Sequence, residues 1–224
     1  IMQPNSSPFA VIFDMDGVIV DSNPWHTVSL GEFCERHGYH LSDSYLKEHV
    51  YGRANKDWLP ALFGELTEEK IRELSGEKEA LFREIYRDKI TPISGLIPFL
   101  EALETHHIPK AIATSAPGEN VTFTLENTGT SKFFDVILDE SHISNGKPDP
   151  EIYLKTAARI NYPPERCIVF EDSLSGVESA HRAGCKVIGI TTTHTADEFK
   201  NTVAVIDDFT QLAVGDLFEI MNNQ

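Results

Sequence analysis

Short apolar runs alternate with helix-length stretches along most of this chain, and that alternation limits its fold more than any other feature. Residues 9–13 form an apolar run ending at Asp14, and similar runs occupy 110–113, 135–138, 167–170, 187–190 and, more weakly, 203–206. Between them lie helical patterns at 96–107, 120–127, 150–160 and 176–183, with a short one near 196–200 and a last one near 211–221. Strands that alternate with helices of this length imply an α/β fold, a doubly wound parallel sheet. One block breaks the rule. From Pro24, which follows the capping residues Ser22 and Asn23, to about residue 88 there is no convincing strand. Helical patches appear instead near 24–38, 43–50, 56–63 and 67–87, the last expected to break at Gly76. The organisation expected is a core of residues 1–22 and 93–224 with an inserted all-helical domain, residues 23–92.

Composition narrows the function classes. The chain has 224 residues and a net charge of −16. This length suits one large domain, or one with an insertion, and can bury a core without a metal or disulfide staple. The acidic excess argues against nucleic acid and against anionic membrane surfaces, both of which attract Lys/Arg patches. Cys34, Cys167 and Cys185 are odd in number and lack CxxC spacing, so neither a disulfide framework nor a zinc site is expected. No apolar run is long enough to span a membrane, and residues 1–8 do not read as an export signal. The expectation is a soluble cytoplasmic monomer.

In an open α/β sheet, ligands bind beyond the carboxyl ends of the strands, near the point where strand order reverses. The residues there are polar in every case read. Asp14 and Asp16 follow the first run, Thr114 and Ser115 the second, and Glu171 and Asp172 the fourth. Lys147 lies in the loop beyond the third. Each signal alone has a plain structural explanation, such as a helix cap or a turn. Their coincidence on one sheet edge points to a site. Clustered carboxylates repel unless a cation sits among them, and hard oxygen donors favour Mg²⁺. A lysine and two hydroxyls suit phosphate oxygens. Asp14 and Asp16 can divide the chemistry, one attacking and one donating a proton to the leaving group. The ligand this chemistry implies is a small phosphate ester.

The Asp14-Met-Asp16-Gly17-Val18 run, with Thr114, Lys147 and Glu171-Asp172 in order on successive strands, resembles the haloacid dehalogenase (HAD) superfamily of aspartate-nucleophile phosphotransferases. The resemblance covers nearly the whole chain. It implies that Asp14 is the nucleophile, forming an aspartyl-phosphate, and that Asp16 is general acid and then base. It implies that Thr114 and the Ser115 amide hold the phosphoryl group, while Lys147 bridges phosphate and nucleophile. Mg²⁺ would be bound by Asp14, the main-chain carbonyl of Asp16, and Asp172, with Glu171 as a further ligand or as support. The helical insertion resembles the family's cap.

The branch it is most similar to is that of the β-phosphoglucomutase-like phosphatases. His26 and Lys78 match a cap histidine and a cap lysine of that branch, and the run Gly52-Arg53-Ala54-Asn55 matches its specificity loop. The mutases carry an arginine for the non-transferring phosphate where this chain has Asn55; Arg53, two residues earlier, is the alternative contact. This departure favours hydrolysis of a phosphorylated metabolite, sugar phosphates first. The alternatives are a β-phosphoglucomutase-type phosphotransferase, a pyrophosphatase, and a non-catalytic binding protein on the same fold. Loss of the nucleophile or acid would mark the last, and both Asp14 and Asp16 are present.

Overall fold

The computed structural model describes residues 7–42, 44–46 and 55–222. The chain divides into two compact units, Ile1–Asp21 with Ile90–Gln224, and Ser22–Lys89.

The first unit is built on six parallel strands: β1 (Ala10–Phe13), β2 (Lys110–Ala113), β3 (Val136–Leu138), β4 (Cys167–Glu171), β5 (Lys186–Ile190) and β6 (Ala204–Ile206). Their spatial order is β3-β2-β1-β4-β5-β6. The chain therefore winds outward from β1 through β2 and β3, then returns to the other side of β1 at β4. The switch point lies between β1 and β4, where Phe13 is in register with Phe170. Asp14 and Glu171-Asp172 leave the sheet at this point, as the topology rule requires of a ligand site.

Both faces of the central strands are covered, which is why they read as unbroken apolar runs. On one face Ala10, Ile12, Cys167, Val169 and Val187 pack with Ile152 and Tyr153 of the helix Glu151–Arg159. On the other, Phe13 stacks on Phe170 at 5.1 Å between ring centroids, and Phe99 and Phe209 complete the aromatic layer. Gly95, at φ 76°, closes this layer: a Cβ there would stand 2.6 Å from the Thr210 backbone nitrogen. Two elements differ from the sequence expectation. The helix expected near 196–200 is a short 3₁₀ turn, Ala196–Glu198. The last helix starts later than expected, at Val214–Asn222, after a 3₁₀ turn at Phe209–Gln211.

Among the second unit's described residues every regular element is a helix. It contains α1 (Asn23–Arg36), α2 (Asn55–Phe63) and α3 (Glu68–Tyr86). Leu30 and Phe33 of α1, Trp58 and Leu59 of α2, and Leu74 and Leu81 of α3 share its core. The break expected at Gly76 does not occur. Thr67 caps the helix through Lys70 N–H at 3.2 Å, and α3 runs unbroken for 19 residues. An interior glycine costs only about 1 kcal/mol relative to alanine, less than burying one leucine gains. Of the patch expected at 43–50, only residues 44–46 are described, and they are helical.

Candidate active site

Asp14 is placed by the sheet itself. Its N–H donates to Phe170 O at 3.0 Å, so this position is an extension of the β1–β4 ladder. The chain then turns sharply. Gly17, at φ 77°, donates its N–H to Val20 O at 2.7 Å, and Asp16 bridges to Val20. A Cβ at Gly17 would overlap the Asp172 carboxylate, so only glycine lets this turn lie against β4's end.

Lys147 joins three strand ends. Its Nζ donates to Asp14 Oδ1 at 2.9 Å and Glu171 Oε1 at 2.5 Å, and it stands 3.5 Å from Ala113 O. It also lies 5.0 Å above the ring of Tyr153. Burial by itself would lower the lysine pKa, but the Asp14 and Glu171 carboxylates outweigh it and hold the amine charged. Glu171 is fully buried and saturated with donors. Oε1 receives Lys147 and the Tyr153 hydroxyl (2.6 Å), while Oε2 receives Asp172 N–H, Ser173 N–H and Ser173 Oγ at 3.0–3.2 Å. Burial and the neighbouring Glu171 charge keep the Tyr153 phenol neutral, hence a donor.

Asp172 is 3% exposed and accepts a short hydrogen bond from the Thr193 hydroxyl on Oδ2. Burial, then the Glu171 charge, pushes its pKa up to about 7. Burial likewise holds Asp14 well above the usual carboxylate range, against the pull of Lys147. Oxygen atoms of Asp14, Glu171 and Asp172 all lie within 4.8 Å of one another. A buried all-oxygen cluster in which burial and the Glu171 charge raise both Asp14 and Asp172 fits a hard divalent cation, which would relieve that repulsion.

The remaining core residues lie along the same edge. Thr114 is buried at the end of β2, its Oγ1 accepting from Ala116 N–H at 3.1 Å, and Ser115 is exposed. All seven residues read from the strand ends thus sit on one sheet edge, with direct contacts linking Asp14, Lys147 and Glu171.

Three of the four residues read in the helical block also meet, within their own unit. Lys78 Nζ lies 2.8 Å from Glu79 Oε1 and 3.3 Å from His26 Nδ1. Asn55 Nδ2 donates to the same Glu79 oxygen at 3.2 Å, and Trp58 Nε1 donates to Asn55 Oδ1 at 3.0 Å. The His26 ring stacks on Phe82 at 3.7 Å. Arg53 lies outside the described residues. Sequence reasoning missed Glu79, Tyr153, Thr192 and Thr193. The Thr191-Thr-Thr193 run directly after β5 was the available signal, since it follows a strand on the same edge.

A sequence profile of the haloacid dehalogenase-like hydrolases matches residues 11–190. A phosphorylated carbohydrates phosphatase of Thermotoga maritima is 35% identical over 184 residues, 80% of this chain and 83% of that protein. The β-phosphoglucomutase of Bacillus subtilis is 28% identical, covering 81% of this chain and 82% of its own. Among solved structures, a HAD hydrolase of family IA, variant 3, from Entamoeba histolytica is 32% identical with a TM-score of 0.88, covering 96% of this chain and all of that one. The chain belongs to the haloacid dehalogenase-like hydrolases, in their β-phosphoglucomutase-like branch, as an enzyme of the phosphoric monoester hydrolase type. No helix among the described residues is long and apolar enough to cross a membrane.

Proposed function

We propose that the protein is a Mg²⁺-dependent phosphatase of small phosphorylated metabolites, sugar monophosphates first, working through an aspartyl-phosphate on Asp14. The single observation that carries this reading is the buried Lys147 bridging Asp14 and Glu171 at the switch point of the sheet. Asp14 attacks phosphorus, and the bond to the ester oxygen breaks as Asp16 gives that oxygen its proton. Asp16, now ionised, takes a proton from water. The water oxygen attacks the same phosphorus, the bond to Asp14 breaks, and inorganic phosphate leaves. Thr114 and the Ser115 amide bind the phosphoryl oxygens, and Lys147 offsets their charge.

Asp14, the Asp16 main-chain carbonyl and Asp172 are the ligands proposed for the metal, which when bound neutralises charge on the transferring phosphoryl group. Glu171 already accepts five hydrogen bonds, which supports a role in holding Lys147 and Asp172 in place rather than in ligation.

We read the helical unit as the cap that meets the non-phosphate part of the substrate. Asn55 is engaged by Glu79 and Trp58, and Glu79 offsets the Lys78 charge. This supports a hydroxyl-bearing sugar end over a second phosphate, and so hydrolysis over mutase chemistry. We propose a monomer acting on a small molecule, with no nucleic acid or membrane partner. The test is a panel of sugar monophosphates, nucleotides and pyrophosphate with and without Mg²⁺. Mg²⁺-dependent phosphate release, highest on a sugar monophosphate, is expected. Full activity in metal-free enzyme, or conversion of β-glucose 1-phosphate to glucose 6-phosphate with little free phosphate, overturns the reading.

A further inference from the structure

Two consecutive threonines beyond β5 reach back across the sheet edge. Thr192 Oγ1 donates to Gly17 O at 2.7 Å, and Thr193 Oγ1 donates to Asp172 Oδ2. Asp172 Oδ2 is therefore met from two directions. The Gly17 Cα lies where a side chain would overlap it, and the Thr193 hydroxyl donates to it. The turn carrying Gly17 is itself pinned by the neighbouring threonine. The Thr193 bond fixes how this carboxylate is turned, and rotating it to set both oxygens equally on one cation would strain that bond.

We propose that Thr193 is a positioning residue that fixes Asp172 as a one-oxygen ligand and thereby makes the site prefer Mg²⁺ to Ca²⁺. The physical basis is the difference between the ions. Mg²⁺ demands near-octahedral geometry at roughly 2.0–2.1 Å, whereas Ca²⁺ takes six to eight oxygens at roughly 2.3–2.6 Å and accepts two-oxygen carboxylates. Holding Asp172 still serves the first ion and denies the second its extra contact. The inference rests on the metal reading above.

The test uses purified metal-free protein and isothermal titration with Mg²⁺ and with Ca²⁺, each added alone. Thr193→Val keeps the branched shape and removes only the hydroxyl, at a residue otherwise exposed. Mg²⁺ affinity is expected to fall about 10- to 100-fold, the usual cost of losing a group that orients a metal ligand. Ca²⁺ affinity is expected to rise or to change by less than about threefold, because the freed carboxylate can then offer Ca²⁺ its second oxygen. Thr193→Ser, which restores the hydroxyl, should recover the wild-type preference. Losing a donor to Asp172 also strengthens proton competition, but that acts on both ions alike, so the Mg²⁺/Ca²⁺ ratio isolates the positioning effect. An unchanged ratio in Thr193→Val, whether both affinities hold or both fall equally, overturns the proposal, as does failure of Thr193→Ser to restore it. Wild-type protein that binds neither ion refutes the metal reading itself.

Discussion

Lys147 Nζ lies 2.9 Å from Asp14 Oδ1, and both side chains are buried, 7% and 10% exposed. The pair is completed by Glu171, and it ties the loop beyond β3 to the ends of β1 and β4. Removing the amine leaves two buried carboxylates facing each other. Lys147→Ala should lower stability by about 3–5 kcal/mol, the usual cost of orphaning a buried charge partner. It should also cut phosphatase turnover to near background. Urea unfolding of metal-free protein checks the first, and initial rates at saturating Mg²⁺ check the second.

The raised carboxylates make a signed expectation about pH. Asp14 and Asp172 are pushed above their ordinary values, Asp172 to about 7, so in metal-free protein they hold protons that unfolded chains release near pH 4. Their contribution to stability is fully present below the unfolded pKa and is lost as pH rises through the folded one. Metal-free protein should therefore lose stability as pH rises from about 4, through about 7 for Asp172 and through its own raised value for Asp14. Mg²⁺ needs the same carboxylates ionised, so its stabilisation runs the other way. The increase in melting temperature caused by Mg²⁺ should be larger at pH 8 than at pH 5.5. An equal increase at both would contradict proton–metal competition at Asp172.

Asp16→Asn should separate substrates by leaving group. An alkoxide of a sugar needs the proton assigned to Asp16, while nitrophenolate needs little. The loss expected is about 10²–10⁴-fold on a sugar phosphate, the range for general acid catalysis, and markedly smaller on 4-nitrophenyl phosphate. Equal losses on both esters would remove Asp16 from the acid role.

Much of this site was legible before any coordinates, for a physical reason. Parallel strands buried on both faces must read as unbroken apolar runs, so their ends are easy to find, and the fold places ligands only at one set of ends. Asp14, Thr114, Lys147 and Asp172 were visible because each follows such a run or the loop after it. Tyr153 was not, because it lies on a helix with core residues on the same face, and nothing local separates a buried phenol that donates from one that merely packs. Glu79 was hidden similarly. Its neighbour Lys78 drew attention, but a contact to Asn55, 24 residues earlier, follows from how α2 packs on α3 and leaves no mark in either segment. Gly76 shows the opposite error, where a local preference was overruled by the burial of Leu74 and Leu81.

The substrate-selecting role proposed for the His26–Lys78–Glu79–Asn55 network of the helical unit is one that mutation can isolate. Lys78→Ala should raise KM and lower kcat on sugar monophosphates, by about tenfold or more in kcat/KM, the scale of one lost charged hydrogen bond. Aryl phosphates, which offer no hydroxyls to this network, should be much less affected. An identical change on both substrate types would show that Lys78 only stabilises the unit.

The central claim is that Asp14 carries the phosphoryl group. Its most direct test is chemical trapping during turnover. Enzyme cycling a sugar phosphate with Mg²⁺ is quenched in acid and reduced with borohydride, which converts an aspartyl-phosphate to homoserine, and the peptides are sequenced by mass spectrometry. Homoserine at position 14, absent without substrate, is the expected result. Active enzyme that yields no homoserine at position 14, or yields it at another aspartate, would contradict the account.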